Sequence, residues 1–585
     1  MKRSFPLVLF LLALACTSVP ARQTAQPAEP VHIVLVGTTD VHGWFAGHIE
    51  TPEEGGQGVL WGGLPAFASY VEKLREKNPG RVVVVDSGDM WQGTLESNMF
   101  EGEAVVRGYN VIGYAAVAVG NHEFDFGPAG PDAIARTETQ DELGAVKRNS
   151  AIAAFPFLSA NMVEKATGRT PDWVRRYTIV RAGGARIGII GLSTPDTPNV
   201  TMAANVVDLM FTDPVEATQR AAAELRALGV DAVVVIAHMG GRCSEVDEPA
   251  DPSSCAPKNE ANELLLNLPA GTVDAYFGGH THAQMRHYIN GVPAAQSGPF
   301  SREFSTIDLW IDTANDKVVK SDIRLPTMIC TFVYEGTEEC DPHEAPKGAR
   351  LVPRVFEGRI IAGEPRVSRT IEPYLRRVAT KRDEKVGITT AARFTRSSTG
   401  ESPLGVLISD ALREYGSADF AIMNSGGIRA ELPARELTYG EIFAISPFDN
   451  FPAVVTMTGA EIVETLRLTS TGLRGLMQVS GLRYTIDAAK DNDKPDKERN
   501  RIVSVTKDDG SPLEMDKLYT VAMPDFIAAG GDSTQSVMEK IPRDRINISY
   551  ARPIRDVLVQ VLSARPQPIA PRVEGRITVL NRPAS

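Results

Sequence analysis

β-Rich runs alternate with helical ones from Val31 to about Arg324. HIVLVGTTDVHG, VVVVDSGD, AAVAVGNHEFD, ARIGIIGLS, AVVVIAHMGG and VDAYFGGHTH each begin in β-formers. PVEATQRAAAELRALG reads as an amphipathic helix that closes just before the strand ending in His238. Strands alternating with helices predict an α/β layered domain. Pro326 to about Lys347 holds a cysteine pair and many turn-formers and reads as an ordered surface loop. EPRVSRTIEPYLRRVATKRDEKVG then reads as a charged connecting helix with one interruption at Pro373. A second pattern follows. LGVLISDALREYG and TGAEIVETLRL look helical, DFAIMNSGGIR is a strand entering a glycine turn, and SGLRYTID, IVSVTKDDG and LYTVAMPDF are strands. A chain of 585 residues is too long for one hydrophobic core. The expected organisation is a first domain over 31–347, a linker helix region over 348–386 and a smaller α/β domain over 387–580.

The amino terminus changes where this fold is expected to work. MKRS is basic, PLVLFLLALACTSV is an apolar core, and Val19-Pro20-Ala21 offers a small-residue cleavage pattern. That core is too short to span a bilayer, so 1–21 reads as an export signal and 22–30 as a disordered leader. A rival reading makes Cys16 a lipid anchor. No later segment is apolar for long enough to cross a membrane, and the expected location is the periplasm or cell surface. In an exported chain the close pairs Cys243 with Cys255 and Cys330 with Cys340 predict loop-stapling disulfides. The formal net charge of -12 argues against nucleic-acid polymers. Small anions remain as partners, because a metal site supplies local positive charge.

Five of the nine histidines fall in four short motifs, each directly after a β-rich run. Open α/β sheets bind ligands beyond the carboxyl ends of their strands. Asp40-x-His42 puts two donors on one side of an extended segment, and Asp89 follows a glycine that lets the chain turn. Asn121 offers an amide oxygen, and His238, His280 and His282 offer imidazole nitrogens. Seven donors exceed what one tetrahedral zinc needs and fit two divalent ions sharing a carboxylate. Mixed nitrogen and oxygen donors suit zinc, manganese or ferrous iron. His32, His48, His287 and His343 read as structural or solvated. In the second half, the Gly426-Gly427 turn lets backbone N–H groups approach a phosphate, with Arg429 as a charged fork. Phe448 and Phe526 are either core residues or two flat rings that clamp a nucleobase.

The set D-x-H, GD, GNH, a lone His after a strand and G-H-x-H resembles the calcineurin-like metallophosphoesterases. GNHEFD, GGHTH, NSGGIR, SPFDN and FIAAGGD are similar to strings of the exported 5'-nucleotidase and UDP-sugar hydrolase family. The resemblance covers nearly the whole mature chain. It implies an α/β (α+β) fold: a four-layer β-sandwich flanked by helices, joined by a helix to a smaller substrate-binding domain. It implies one ion held by Asp40, His42, Asp89 and His282, and another by Asp89, Asn121, His238 and His280. His122 would stabilise the transferring phosphoryl oxygens or protonate the leaving group, with Asp125 orienting its ring. Phe448 and Phe526 would sandwich the base and Asp532 would accept from ribose hydroxyls. Asn424, Arg429 and Asn450 would help hold substrate, and Arg396 stands where a further arginine is expected, although RSSTGESPLG carries extra residues there. Ser533-Thr534 departs from the Gly-aromatic pair common in relatives, at the rim of the base pocket.

The function implied is an exported dinuclear-metal phosphohydrolase acting on nucleoside 5'-monophosphates, with UDP-sugars or nucleoside di- and triphosphates as further substrates. The connecting helix is expected near a hinge whose closure brings the base clamp toward the metals. A 2',3'-cyclic nucleotide phosphodiesterase or a thiosulfohydrolase shares the overall plan. A reading of another class is a non-catalytic nucleotide-binding surface protein.

Overall fold

The computed structural model describes residues 29–50, 58–130, 141–256, 258–342, 344, 348–471, 475–495, 498–549 and 552–582. The expected export signal, Cys16, most of the expected leader and His343 lie outside the described residues.

Two mixed sheets pack face to face in the first domain. One runs Lys317–Ile323, Glu303–Asp312, Val31–Thr38, Val82–Asp86, Ala116–Ala118, Phe157–Leu158. The other runs Met285–Ile289, Val292–Gln296, Ala275–Phe277, Ala232–His238, Ala185–Ser193, Tyr177–Ala182. Ile33, Leu35, Val83 and Val85 of the first meet Ile187, Ile189, Val234, Ile236 and Phe277 of the second. Alternate residues point outward and are covered in turn. Val34, Val36 and Val84 lie in one core with Phe67, Tyr70, Val105 and Tyr109 of the helices Leu64–Lys77 and Glu103–Ile112. Ile190, Val233 and Val235 pack with Ala221, Leu225 and Leu264 of Pro214–Ala227 and Glu260–Asn267. The result is a helix–sheet–sheet–helix stack of four layers. With both faces covered, central strands read as unbroken apolar runs. Local signals agree: Asp213 caps the helix Pro214–Ala227 by accepting from the N–H groups of Val215 and Glu216, with proline in its first turn.

Two expectations need correction. The stretch after Pro326 is more than a surface loop. Thr327–Met328 pairs with Glu303–Asp312, and Phe332–Tyr334 pairs with Leu351–Pro353. Cys330 and Cys340 are buried there with Trp61 and Val59. The connecting helix, Pro365–Arg382, also runs unbroken through Pro373. Its packing outweighs the missing N–H: Val367, Ile371 and Val378 are buried, and the Tyr374 hydroxyl donates to Glu103 at 2.9 Å. Both predicted disulfides are present, Cys243–Cys255 and Cys330–Cys340.

The carboxy-terminal part holds a five-stranded sheet, Met477–Ser480, Phe420–Asn424, Leu518–Pro524, Pro452–Thr458, Ile546–Ile548. The helices Pro403–Gly416 and Ile554–Ser563 share a core with it. A three-stranded sheet, Ile502–Lys507, Leu482–Asp487, Ile577–Leu580, packs with Gly459–Thr469 on a second core. Among the described residues no helix is long and apolar enough to cross a membrane.

Candidate metal centre and substrate cleft

Every predicted ligand leaves the carboxyl end of a strand. Asp40 and His42 follow Val31–Thr38, Asp89 follows Val82–Asp86, and Asn121 follows Ala116–Ala118. His238 ends Ala232–His238, while His280 and His282 follow Ala275–Phe277. Asp40, His42, Asp89, His280 and His282 stand at φ of 50, 49, 57, 76 and 52°. Left-handed backbone costs a non-glycine residue about 1–3 kcal/mol and persists where the surroundings enforce it. Here they do. The N–H of Asp40 donates to Gly88 O and that of His42 to Asp89 O, both at 2.9 Å. The N–H of His280 donates to the Asp40 carboxylate at 3.0 and 3.1 Å, tying one sheet to the other.

The side chains converge on two neighbouring points. His282 Nε2 lies 3.3 Å from Asp40 Oδ1 and 2.9 Å from His42 Nε2. His238 Nε2 lies 3.0 Å from Asp89 Oδ2 and 3.1 Å from Asn121 Oδ1. Asp89 Oδ2 is also 3.7 Å from His42 Nε2, so its carboxylate stands between the two groups. His280 joins Asp89 and His238 in a set whose ligand atoms fall within 4.8 Å of one another.

Backbone partners set the aim of these donors. His42 Nδ1 meets Gln92 O at 2.7 Å and His238 Nδ1 meets Ser87 O at 2.9 Å. A carbonyl accepts only, so each Nδ1 carries the proton and each Nε2 faces the centre. Asn121 donates its amide to Val200 O at 3.0 Å, which turns its oxygen inward.

Charge tells the same story. Burial, with Arg429 and His282 nearby, holds the His42 imidazole well below its usual range, and burial also lowers His280 and His282. Burial opposes ionisation of Asp40 and Asp89, yet His282 and His238 hold Asp40 down, and His238 and His122 hold Asp89 down. His238 differs: burial works against its proton, but Asp89 pushes it up to about 10. Where Asp89, Asn121 and a ring nitrogen meet, positive charge is favoured. Neutral imidazoles at His42, His280 and His282 beside ionised Asp40 and Asp89 are donors a divalent ion needs, and a cation in place of the His238 proton would answer the same negative charge, so the residues fit the group.

His122 stands beside this centre on the 3-10 turn His122–Phe124. Its Nε2 is 4.0 Å from Asp89 Oδ2 and its Nδ1 is 2.5 Å from Asp125 Oδ2. Burial opposes protonation of this ring, but Asp125 and Asp89 outweigh it and raise its pKa.

The motifs did not announce everything. Glu123 is buried, and its carboxylate accepts the N–H groups of Gly120, Asp89 and Met90 at 2.6, 2.9 and 2.8 Å. Burial and the nearby Asp89 push it up to about 8. It pins the loop bearing Asp89 to the loop bearing Asn121. The residue was visible in GNHE; its three partners lie in backbone that pattern reading does not resolve. Outside the centre, His32 stacks on Trp310 at 4.7 Å, His48 sits between Trp44 and Trp61, and buried His287 meets Glu245 O at 2.9 Å.

The second domain closes one side of a cleft of about 2560 Å³ that also reaches Asp89, Asn121, His122, Asp125, His280 and His282. Arg396, Asn424, Gly426, Gly427 and Arg429 line it, as do Phe448, Asn450, Phe526 and Asp532. Arg429 Nη2 lies 3.3 Å from His42 Nε2, and the Phe448 ring lies 5.6 Å from that of His122. Phe448 and Phe526 are half-buried: both line the cleft, and Phe526 also packs against the second core. The end of the Phe526 ring lies against Gly531, where an added Cβ would sit 2.4 Å from it. Arg396 donates to Ile428 O at 3.2 Å, and its N–H donates to Glu431. Asp532, at φ 50°, accepts from Asn424 at 2.8 Å, and its N–H donates across the domain boundary to Asn199 O at 3.2 Å. Thr534 is buried and bonds Gly531 O at 2.7 Å, closing the turn that carries Asp532.

Comparison with known proteins matches the two halves separately. Residues 33–284 match the calcineurin-like phosphoesterase family and residues 381–539 match the 5'-nucleotidase C-terminal domain. The chain is 28% identical over 566 residues to the cell wall protein Lmo0130 of Listeria monocytogenes, covering 91% of this chain and 68% of that one. It is 27% identical over 562 residues to the 5'-nucleotidase of Vibrio cholerae, covering 90% and 89% respectively. The crystal structure of a 5'-nucleotidase precursor from Thermus thermophilus shares its fold, with a TM-score of 0.74 at 24% identity over 94% of this chain and all of that one. With a phosphoesterase core in front and a nucleotidase domain behind, in one cleft, the chain belongs to the 5'-nucleotidase family of metal-dependent phosphoester hydrolases.

Proposed function

We propose that the protein releases phosphate from nucleoside 5'-monophosphates outside the cytoplasm. One observation carries this: the ring of Phe448 stands 5.6 Å from His122, and Arg429 stands 3.3 Å from His42. A flat apolar ring and a guanidinium thus sit directly against the hydrolytic centre. Asp40, His42, Asp89 and His282 would hold one divalent ion, and Asp89, Asn121, His238 and His280 the other. When bound, such a pair supplies Lewis acidity toward phosphoryl oxygens and acidifies water.

The chain's own residues supply the rest. Arg429 and Arg396 attract the phosphate dianion and orient it. His122, with Nδ1 held by Asp125, presents Nε2–H toward the transferring group and hands its proton to the departing 5'-oxygen. Phe448 and Phe526 take the base between them, worth ~1–3 kcal/mol per stacked base. Asp532 and Asn424, already bonded to each other, face the ribose. The cleft volume of about 2560 Å³ leaves room for nucleotide sugars and longer phosphate chains. Motion about the helix Pro365–Arg382 would open this arrangement to admit substrate and restore it on closure. Export is supported by the amino-terminal pattern, by two disulfides and by similarity to a protein named for the cell wall.

The test is a substrate panel on metal-reconstituted protein: AMP, UMP, UDP-glucose, 2',3'-cAMP and bis-(4-nitrophenyl) phosphate. Phosphate release from AMP or UMP above the rate on 2',3'-cAMP is expected. Preference for the cyclic ester makes the protein a phosphodiesterase, and silence across the panel makes it a binding protein.

A further inference from the structure

Gln92 divides its work between backbone and side chain. Its carbonyl accepts from His42 Nδ1 at 2.7 Å and so aims a predicted ligand. Its amide has no such task. The residue is 1% exposed, and neither Oε1 nor Nε2 has a hydrogen-bond partner among the described residues. A buried primary amide with both faces unsatisfied destabilises a fold, and leucine fills similar space without that cost. Such groups persist where something outside the fold completes them. Gln92 lines the cleft together with Asp89, Leu95, Asn98, His122 and Phe448, and its carbonyl contact to His42 puts it beside the hydrolytic centre.

We propose that the Gln92 amide is a substrate contact: Nε2–H donates to a phosphoryl oxygen, and Oε1 accepts from a hydroxyl of the sugar or of water. This rests on the phosphohydrolase reading. A phosphate ester dianion offers acceptors only, so the amide's donor face matches it. The acceptor face needs an O–H, which a phosphate-bearing nucleoside or its attacking water supplies. Gln92 thereby joins His122, Arg396 and Arg429 as a fourth protein group on the transferring phosphate.

The decisive comparison is wild type against Gln92→Leu and Gln92→Glu, all metal-loaded. The readouts are kcat/KM for AMP, affinity for inorganic phosphate by calorimetry, and Tm of the metal-free proteins. Gln92→Leu should lose roughly 10- to 100-fold in kcat/KM or phosphate affinity, the scale of one hydrogen bond to a charged group. Its metal-free Tm should hold or rise. Gln92→Glu, which puts a like charge against the phosphate, should lose more. Gln92→Leu within twofold of wild type in both functional readouts overturns the contact. So does a falling Tm that accompanies the loss, which marks a structural amide. If wild type hydrolyses nothing, the hydrolase reading fails by itself, and phosphate affinity alone decides Gln92.

Discussion

His122 Nδ1 and Asp125 Oδ2 are 2.5 Å apart across one turn, and the other oxygen of Asp125 receives the Thr201 hydroxyl at 2.7 Å. With both oxygens engaged, Asp125 is oriented, and it fixes which nitrogen of His122 faces the cleft. Alanine at His122 is expected to lower kcat by about 10²–10⁴-fold, the usual weight of a general acid. Metal content should be unchanged, because Asn121 and Asp89 keep their positions. Asp125→Asn should fall between the two, since an amide N–H set against Nδ1 disfavours the required tautomer. Wild-type turnover by His122→Ala would remove this ring from the reaction.

Glu123 predicts a different failure. Glutamine there keeps one acceptor oxygen but places an NH2 against backbone N–H groups now satisfied by the carboxylate. The loops carrying Asp89 and Asn121 should separate. Metal affinity is expected to fall about 10- to 100-fold, as when an outer-shell partner of a metal ligand is removed. Metal stoichiometry after dialysis measures this, with turnover restored in part by excess metal. A variant that binds metal as wild type does would show that the clamp is dispensable.

The aromatic pair separates recognition from chemistry. Phe448→Ala and Phe526→Ala should each raise KM for AMP roughly 5- to 150-fold, corresponding to the ~1–3 kcal/mol of a stacked base. Hydrolysis of glycerol phosphate, which lacks a base, should change little. Equal losses on both esters would mean that the rings shape the centre itself.

Asp86 carries a pH dependence of its own. It is fully buried, accepts from Thr38 at 2.6 Å and Tyr109 at 2.8 Å, and receives the Gly88 N–H at 2.8 Å. Burial pushes its carboxyl up to about 7. Between the unfolded value near ~4 and that figure the folded state holds the proton and the unfolded state releases it. Stability from this group is therefore full below about pH 4 and declines as pH rises toward 7. Asp86→Asn should gain in Tm relative to wild type as pH rises through that window. A constant difference in Tm from pH 4 to 8 would assign the effect elsewhere.

What could be read from the chain was local. Val82–Asp86 and Ala232–His238 are apolar runs with a donor at or just past the end, so strand and ligand announce each other. The left-handed φ of His280 was hidden, because its N–H is held by Asp40, which is remote in sequence. The continuity of the helix through Pro373 was hidden for the same reason: Glu103 and the apolar face it packs on lie far upstream. The unsatisfied amide of Gln92 is also a property of its surroundings, and QG in a sequence says nothing of them. Pattern shows which groups arrive at a site; only packing shows what they meet there.

Gly240 tests whether the two halves of the metal centre must approach as closely as they do. It lies two residues after His238, and a Cβ on it would sit 2.1 Å from Gly279 O, 2.4 Å from Thr281 Oγ1 and 2.8 Å from Gln296 Oε1. Gly279 directly precedes His280, so backbone meets backbone between the loops that present the two imidazoles. Neither side can yield by a rotamer change alone. Gly240→Ala should push the loops apart and weaken the second metal most, since His238 and His280 flank the clash, while Asp40, His42 and Asp89 keep their places for the first. Calorimetric titration of the metal-free protein is expected to show two binding events in wild type and one, or a much weaker second, in Gly240→Ala. Gly363→Ala is the control, since its added Cβ would meet only Pro65 at 3.5 Å and Ser368 at 3.9 Å. Two undisturbed events in Gly240→Ala would mean that His238 and His280 do not depend on this contact to share an ion.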